Sequence, residues 1–236
     1  MSLINSVAKI IDHKKSIDEV GYLKNETPYY DDLSILDIDI KSILKQPAKN
    51  SSSQTEKELR AISEATKSRT RKEIDLVWSV DEDPLILFKN FLETKRDRKF
   101  PQSTFDEYYN ILEQYIYALK YYFNRARPEQ IAPFYNVDID IIYTDTHQTP
   151  SYPSGHTMYS ELAAHILSDL YPEYTEEFFR LSEYCGLARI LQGVHYPSDN
   201  EASKIAVRIL YPKIKERISD EQKNKDFPTN KQSQTK

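Results

Sequence analysis

The sequence predicts an all-α fold, a single-domain helical bundle, on three observations. Apolar and aromatic residues recur at helical spacing in successive segments, most of those segments open on a capping residue or a proline, and no segment sustains the alternation of a half-buried strand. Between Ser103 and Asn124 the periodic residues are Phe105, Tyr108, Leu112, Tyr115, Ile116, Leu119, Tyr122 and Phe123, with Ser103 and Asp106 spaced as a capping box. Thr55 with Glu58 offers a similar start for a long charged helix running toward Trp78. Asp83 before Pro84 marks another start, because a proline in the first turn gives up no needed hydrogen bond.

Three more helices follow. One opens near Ser154, ends before Pro172 and carries Leu162, Ala163, Ile166 and Leu170 on one face. The next opens near Thr175 with Phe178, Phe179, Leu181, Tyr184, Cys185 and Ala188. The last is capped by Ser198 with Glu201 and turns Ala202, Ile205, Ala206 and Ile209 inward. Val137 to Tyr143 alternates only briefly and reads as an extended segment, and Gln46 to Ser53 reads as a loop. The expected organisation is an N-terminal helical extension over 1–45, a core over 46–217 and a polar flexible tail over 218–236.

Composition narrows the function classes. The 236 residues carry a net charge of -5 with no long basic stripe, which argues against a nucleic-acid partner. A single cysteine, Cys185, leaves no internal disulfide and no thiolate metal site, and its apolar neighbours suggest core packing. Asn5, Lys9 and Asp12 interrupt the apolar residues of Met1 to Lys15, so no secretory segment is expected there. The longest strongly apolar stretch, Leu85 to Phe88, falls far short of the roughly 20 residues that cross a bilayer. The expectation is a soluble, cytoplasmic protein, and no feature specifies an oligomeric state.

Three clusters carry chemistry. Lys120 shares a helical face with Ile116 and Phe123, an odd place for an ammonium unless its stem packs and its head reaches an anion. Arg127 must leave the helix, because Pro128 pushes its predecessor out of the α region. The plain alternative is a snorkelling lysine and a helix-terminal arginine. Pro153-Ser154-Gly155-His156 opens a helix, where free N–H groups, the Ser154 hydroxyl and a glycine admitting close approach suit a phosphate. An ordinary N-cap fits the same residues. Arg189, His195 and Asp199 place a histidine just before a helix whose first turn bears a carboxylate. Asp199 can hold Nδ1–H while Nε2 stays free to attack, or it is only a first-turn acid. His147 and His165 lack such a context and read as structural or surface residues.

Taken together, Lys120, Arg127, Pro128, Pro153, Ser154, Gly155, His156, Arg189, His195 and Asp199 resemble the three-part signature of the type 2 phosphatidic acid phosphatase and vanadium haloperoxidase superfamily. Ser151 to Thr157 and Ala188 to His195 look like its soluble branch, the bacterial class A nonspecific acid phosphatases. The resemblance covers about Lys120 to Leu210. It implies an all-α bundle in which the clusters converge, a phosphate monoester substrate, and neither a metal nor another cofactor. By the same resemblance His195 is the nucleophile, Asp199 its orienter and His156 the general acid. Lys120, Arg127, Ser154, Gly155 and Arg189 would bind the phosphate. A haloperoxidase would hold vanadate in the same cage, and a lipid-phosphate or pyrophosphate phosphatase would share the chemistry. The family usually has a serine where this chain has Ala188, and a lost neutral hydrogen bond is worth about 0.5–1.5 kcal/mol.

Overall fold

A computed structural model describes residues 16–22 and 36–226. Nine α-helices follow one another in the longer described stretch: α1 (Ile40–Ile43), α2 (Ser53–Ser68), α3 (Arg71–Glu82), α4 (Ile86–Arg96), α5 (Gln102–Phe123), α6 (Pro128–Ile131), α7 (Gly155–Leu170), α8 (Thr175–Gln192) and α9 (Pro197–Asp226). No strand occurs among the described residues, and Val137 to Tyr143 is extended chain, tied by Ile142 N–H to the Gln192 carbonyl at 3.1 Å. The expected all-α class is the observed one. Most of the expected N-terminal extension, including Met1 to Lys15, lies outside the described residues.

Antiparallel α7 and α8 make the most extensive helix pair, with α9 and α5 packed on α7 and with α3 and α2 on α8. Met158, Leu162, Ala163 and Leu167 of α7 meet Phe178, Cys185 and Leu191 of α8 in one buried cluster that also takes Leu112, Ile116 and Leu119 from α5. Cys185 is packed there as expected, and burial pushes its thiol up to about 12. The ends of α5, α7, α8 and α9 nearest their connecting loops bring the three sequence clusters together.

Several boundaries differ from the sequence expectation for local reasons. The helix expected from Thr55 to Trp78 is two helices. Arg69 is extended, and Thr70 starts α3 with a capping box in which its N–H donates to Glu73 Oε2 at 2.6 Å. Ser52, not Thr55, caps α2 by accepting from the Thr55 N–H at 3.2 Å. Ser103 lies inside α5, which has no side-chain cap. Gln102 donates to Asp106 there instead. Asp83 accepts the Leu85 N–H, and α4 begins at Ile86. Pro197 takes the first position of α9, so Ser198 sits within its first turn rather than capping it. That helix runs beyond residue 217 to Asp226 and buries Ile218, carrying regular structure into the stretch expected to be tail. No helix among the described residues is long and apolar enough to cross a membrane.

Candidate active site

Lys120 lies in the last turn of α5 and is 4% exposed, with its stem beside Gly155 and its Nζ donating to the Pro150 carbonyl at 2.6 Å. Burial, with Arg127 and Arg189 nearby, holds its pKa well below the ordinary lysine value. Asn124 then ends α5 in the left-handed conformation, and the chain runs extended through Arg127 into α6, as Pro128 requires. The buried Arg127 guanidinium donates from Nε to Thr149 O at 2.8 Å and from Nη1 to Val194 O at 2.8 Å. Its Nη1 also lies 3.1 Å from His195 Nε2.

Ser154 caps α7, its Oγ accepting from the Thr157 N–H and hydroxyl at 3.4 and 3.0 Å. Its own N–H points to the Asp199 carbonyl at 3.4 Å, so this amide is already engaged. Gly155 occupies the first position of α7, where backbone N–H groups lack a helical acceptor. A Cβ at Gly155 would meet Ile116 and Lys120 only at ordinary contact distances of 3.5 and 3.7 Å, so packing of the protein alone does not require a glycine. His156 follows with a buried Nε2 that has no hydrogen-bond partner. Burial and then Arg189 hold its imidazole well below the usual pKa, with Lys120 and Arg127 adding to this and Asp81 opposing it.

Arg189, on the last turns of α8, donates from Nη1 to Asp81 at 2.5 Å and from Nη2 to Thr146 Oγ1 at 2.9 Å. Burial raises the Asp81 carboxyl, but the Thr146 and Arg189 hydrogen bonds and the Arg189 charge outweigh it and bring Asp81 down to about 2. Burial likewise lowers Arg189 to about 10 against the pull of Asp81.

His195 is 2% exposed, and its Nδ1 lies 3.0 Å from Asp199 Oδ2. Burial and then Arg127, with Lys120, Arg189 and His156, hold it well below the ordinary histidine value, so the ring is neutral. A guanidinium only donates, so Nε2 facing Arg127 is the acceptor and the proton sits on Nδ1, donated to Asp199. All eight sequence-nominated residues, Lys120, Arg127, Ser154, Gly155, His156, Arg189, His195 and Asp199, thus lie at or beside one buried centre.

Residues not nominated for the site from the sequence also line it, among them Glu58, expected only as a capping partner of Thr55 and bonded instead to Arg125 and Ser198. Arg125 donates to Asp199 Oδ1 at 2.7 Å and to Glu58 Oε2 at 3.0 Å, and its guanidinium stacks 3.8 Å from the centre of the Tyr196 ring. Glu58 had a readable signal, since it shares the buried face of α2 with Thr55, Leu59 and Ile62. Arg125 stands two residues before Arg127, while Asp81 is an unremarkable member of an acidic run. Tyr22 reaches the site from the short N-terminal segment as a hydrogen-bonding neighbour of Arg127. His147 is not a surface residue. It is buried, 3.8 Å from Glu129, and burial followed by the nearby Arg127 and Arg189 lowers it to about 4. His165 is structural as expected, packed against Phe179 and Tyr211.

An all-helical frame brings three buried basic side chains, Lys120, Arg127 and Arg189, together with the neutral rings of His156 and His195 around one buried point. Residues 108–210, which contain all three clusters, match the PAP2 superfamily, as the sequence resemblance implied. The chain is 38% identical over 64 residues to a non-specific acid phosphatase of Salmonella typhi, covering 27% of this chain and 26% of that protein. A non-specific acid phosphatase of Providencia stuartii is 36% identical over 55 residues, covering 23% of this chain and 22% of its own. The matched stretch therefore spans about a quarter of these relatives. A transmembrane PAP2 type phosphatidylglycerolphosphate phosphatase from Bacillus subtilis aligns in three dimensions over 72% of this chain and 89% of its own, with a TM-score of 0.44 and 15% identity.

Proposed function

We propose that the chain is a phosphatase that hydrolyses small phosphate monoesters through a phosphohistidine on His195, without a metal ion. The observation that carries this reading is the held ring of His195. Asp199 fixes the proton on Nδ1, and the Nε2 lone pair faces the cations of the cage.

On binding, a substrate phosphate oxygen takes the Arg127 Nη1 donor from His195 Nε2, freeing the lone pair as the anion arrives. Lys120 and Arg189 add charge to the remaining non-bridging oxygens, and the first amides of α7 add N–H donors. Nε2 attacks phosphorus in line, the bond to the leaving oxygen breaks, and His156 gives that oxygen a proton. Its unliganded ring is neutral because burial and then the surrounding cations oppose protonation, and the incoming phosphate dianion offsets those cations, so the ring takes up a proton from solvent as the substrate binds and enters the step as imidazolium. His156 then takes a proton from water as the water oxygen attacks phosphorus, the P–N bond breaks and inorganic phosphate leaves. The cations occupy the electrostatic role that metal ions fill in other phosphatases.

The test is hydrolysis by the purified chain in EDTA across phosphomonoesters, lipid phosphates and pyrophosphates. Metal-independent turnover of small monoesters with an acid-labile, base-stable phosphoenzyme is the expected result. Turnover confined to lipid phosphates or pyrophosphates would reassign the substrate. No turnover of any ester would remove the enzyme reading.

A further inference from the structure

His195 and Asp199 do not form an isolated pair. Asp199 is fully buried and accepts on both oxygens. Oδ2 takes His195 Nδ1–H and the Tyr196 N–H at 2.9 Å, and Oδ1 takes Arg125 at 2.7 Å. The other arm of Arg125 is held by Glu58, whose Oε1 and Oε2 also accept the Ser198 N–H at 2.8 Å and the Ser198 hydroxyl at 3.0 Å. The result is a buried chain of carboxylate, guanidinium, carboxylate and imidazole drawn from α2, the α5–α6 connection, the start of α9 and the turn that precedes it.

We propose that Arg125, held in place by Glu58, is a positioning residue that acts through Asp199 to set the proton affinity of the His195 ring. This rests on the reading of His195 as the nucleophile. The groups that face His195 are Lys120, Arg127, Arg189 and His156, which oppose its protonation, and Asp199, which favours it. Besides His195, Asp199 faces Arg125 in direct contact, with Lys120, Arg127, Tyr152 and Tyr196 in its field. Arg125 itself faces Asp199, Tyr196 and Glu58. A neutral His195 leaves the Asp199 charge to be balanced at contact by Arg125. Without that cation, the nearest means of balancing the carboxylate is to protonate His195, which places a hydrogen on Nε2 and removes the lone pair that attacks.

The experiment is a pH titration of the unliganded full chain with 15N-labelled histidine, followed by NMR, with His195 assigned through His195→Gln. Arg125→Gln, which keeps hydrogen-bonding capacity and loses the charge, should move the His195 titration upward by at least about one pH unit, a tenfold gain in proton affinity. Arg125→Lys, which keeps the charge, should stay near the wild-type position. Should Arg125→Gln not fold, the double variant Glu58→Gln/Arg125→Gln leaves no lone glutamate and carries the same expected upward shift. A His195 that titrates as in wild type in the charge-deleted protein, or stays neutral to the acid limit of folding in both, overturns the proposal and leaves Arg125 a structural residue. The titration needs no turnover, so an inactive wild-type protein would sink the phosphatase reading while this result still stands or falls separately.

Discussion

His195 and His156 share one cage and are held in opposite ways. His195 is engaged at both ring nitrogens, by Asp199 at 3.0 Å and Arg127 at 3.1 Å, and its carboxylate partner is itself held by Arg125 and the Tyr196 N–H. His156 presents a buried Nε2 with no partner, in a field of Arg189, Lys120 and Arg127 opposed by Asp81. Buried polar atoms without partners are uncommon in folded proteins, and an unmade hydrogen bond costs about 1–3 kcal/mol. A nucleophile benefits from one tautomer and one orientation throughout the cycle. A group that gives and then takes a proton needs an open nitrogen, which the leaving oxygen and then water would occupy.

The largest effect should come from removing the fixed ring. His195→Ala is expected to abolish phosphoenzyme formation, read by labelling quenched in alkaline detergent and by mass spectrometry at alkaline pH, with the fold intact by circular dichroism. A phosphoenzyme that still forms would move the nucleophile elsewhere and dissolve the contrast. Removing the open ring should be graded by leaving group. His156→Ala is expected to cost about 10²–10⁴ in rate on an alkyl phosphate and far less on p-nitrophenyl phosphate, whose leaving oxygen needs little protonation. Equal losses on both esters would make His156 a binding residue.

The sequence disclosed these two rings unequally from their surroundings. Helices were legible because aromatic and apolar residues of segments such as Phe105 to Phe123 keep a helical period that a buried face requires. The break at Arg69 was hidden because charged residues flank it on both sides, and only the Thr70-to-Glu73 capping box marks it. His195 and Asp199 were legible as a pair because one turn of chain joins them. Their supports were not, since Arg125 reaches Asp199 across 74 residues and Glu58 across 67, and Asp81 meets Arg189 across 108. No local period encodes contacts of that separation. Glu58 alone left a trace, as a carboxylate on the apolar face of its helix.

Asp81 sharpens the comparison from the side of His156. Its folded-state pKa of about 2 lies below the ordinary 3.8, so ionised Asp81 stabilises the fold above about pH 4, and that contribution is lost as pH falls through about 2. Asp81→Asn should therefore melt below wild type at neutral pH, and the gap in Tm should close between about pH 4 and 2. A gap that is constant with pH would show that the Asp81 charge adds nothing to stability. The same substitution removes the carboxylate that opposes the cations at His156, so the histidine should bind its proton less readily while His195, anchored on Asp199, stays unchanged.

The smallest effect concerns Arg127, the donor that caps His195. Tyr22, in the short described segment 16–22, reaches it. Tyr22 N–H donates to Asn124 Oδ1 at 3.0 Å, Asn124 Nδ2 donates to the Tyr22 carbonyl at 2.9 Å, and Gly21 lies so near that a Cβ would stand 3.1 Å from Asn124. Burial raises the Tyr22 pKa despite the opposing charge of Arg127, so its phenol is neutral at physiological pH and meets the guanidinium as an uncharged partner. A phosphate oxygen makes the stronger, charge-assisted bond to the same guanidinium and competes with the phenol for it. Deleting the hydroxyl removes a competitor worth about 0.5–1.5 kcal/mol, so Tyr22→Phe should tighten inorganic phosphate by roughly 2- to 13-fold. Calorimetric titration of phosphate into both proteins reads this directly. Asn124→Gly removes both tethers while suiting the left-handed backbone at that position, and should act in the same direction. Weaker phosphate binding in Tyr22→Phe would reverse the assignment, making the phenol part of the anion cage that frees His195 rather than a cover over it.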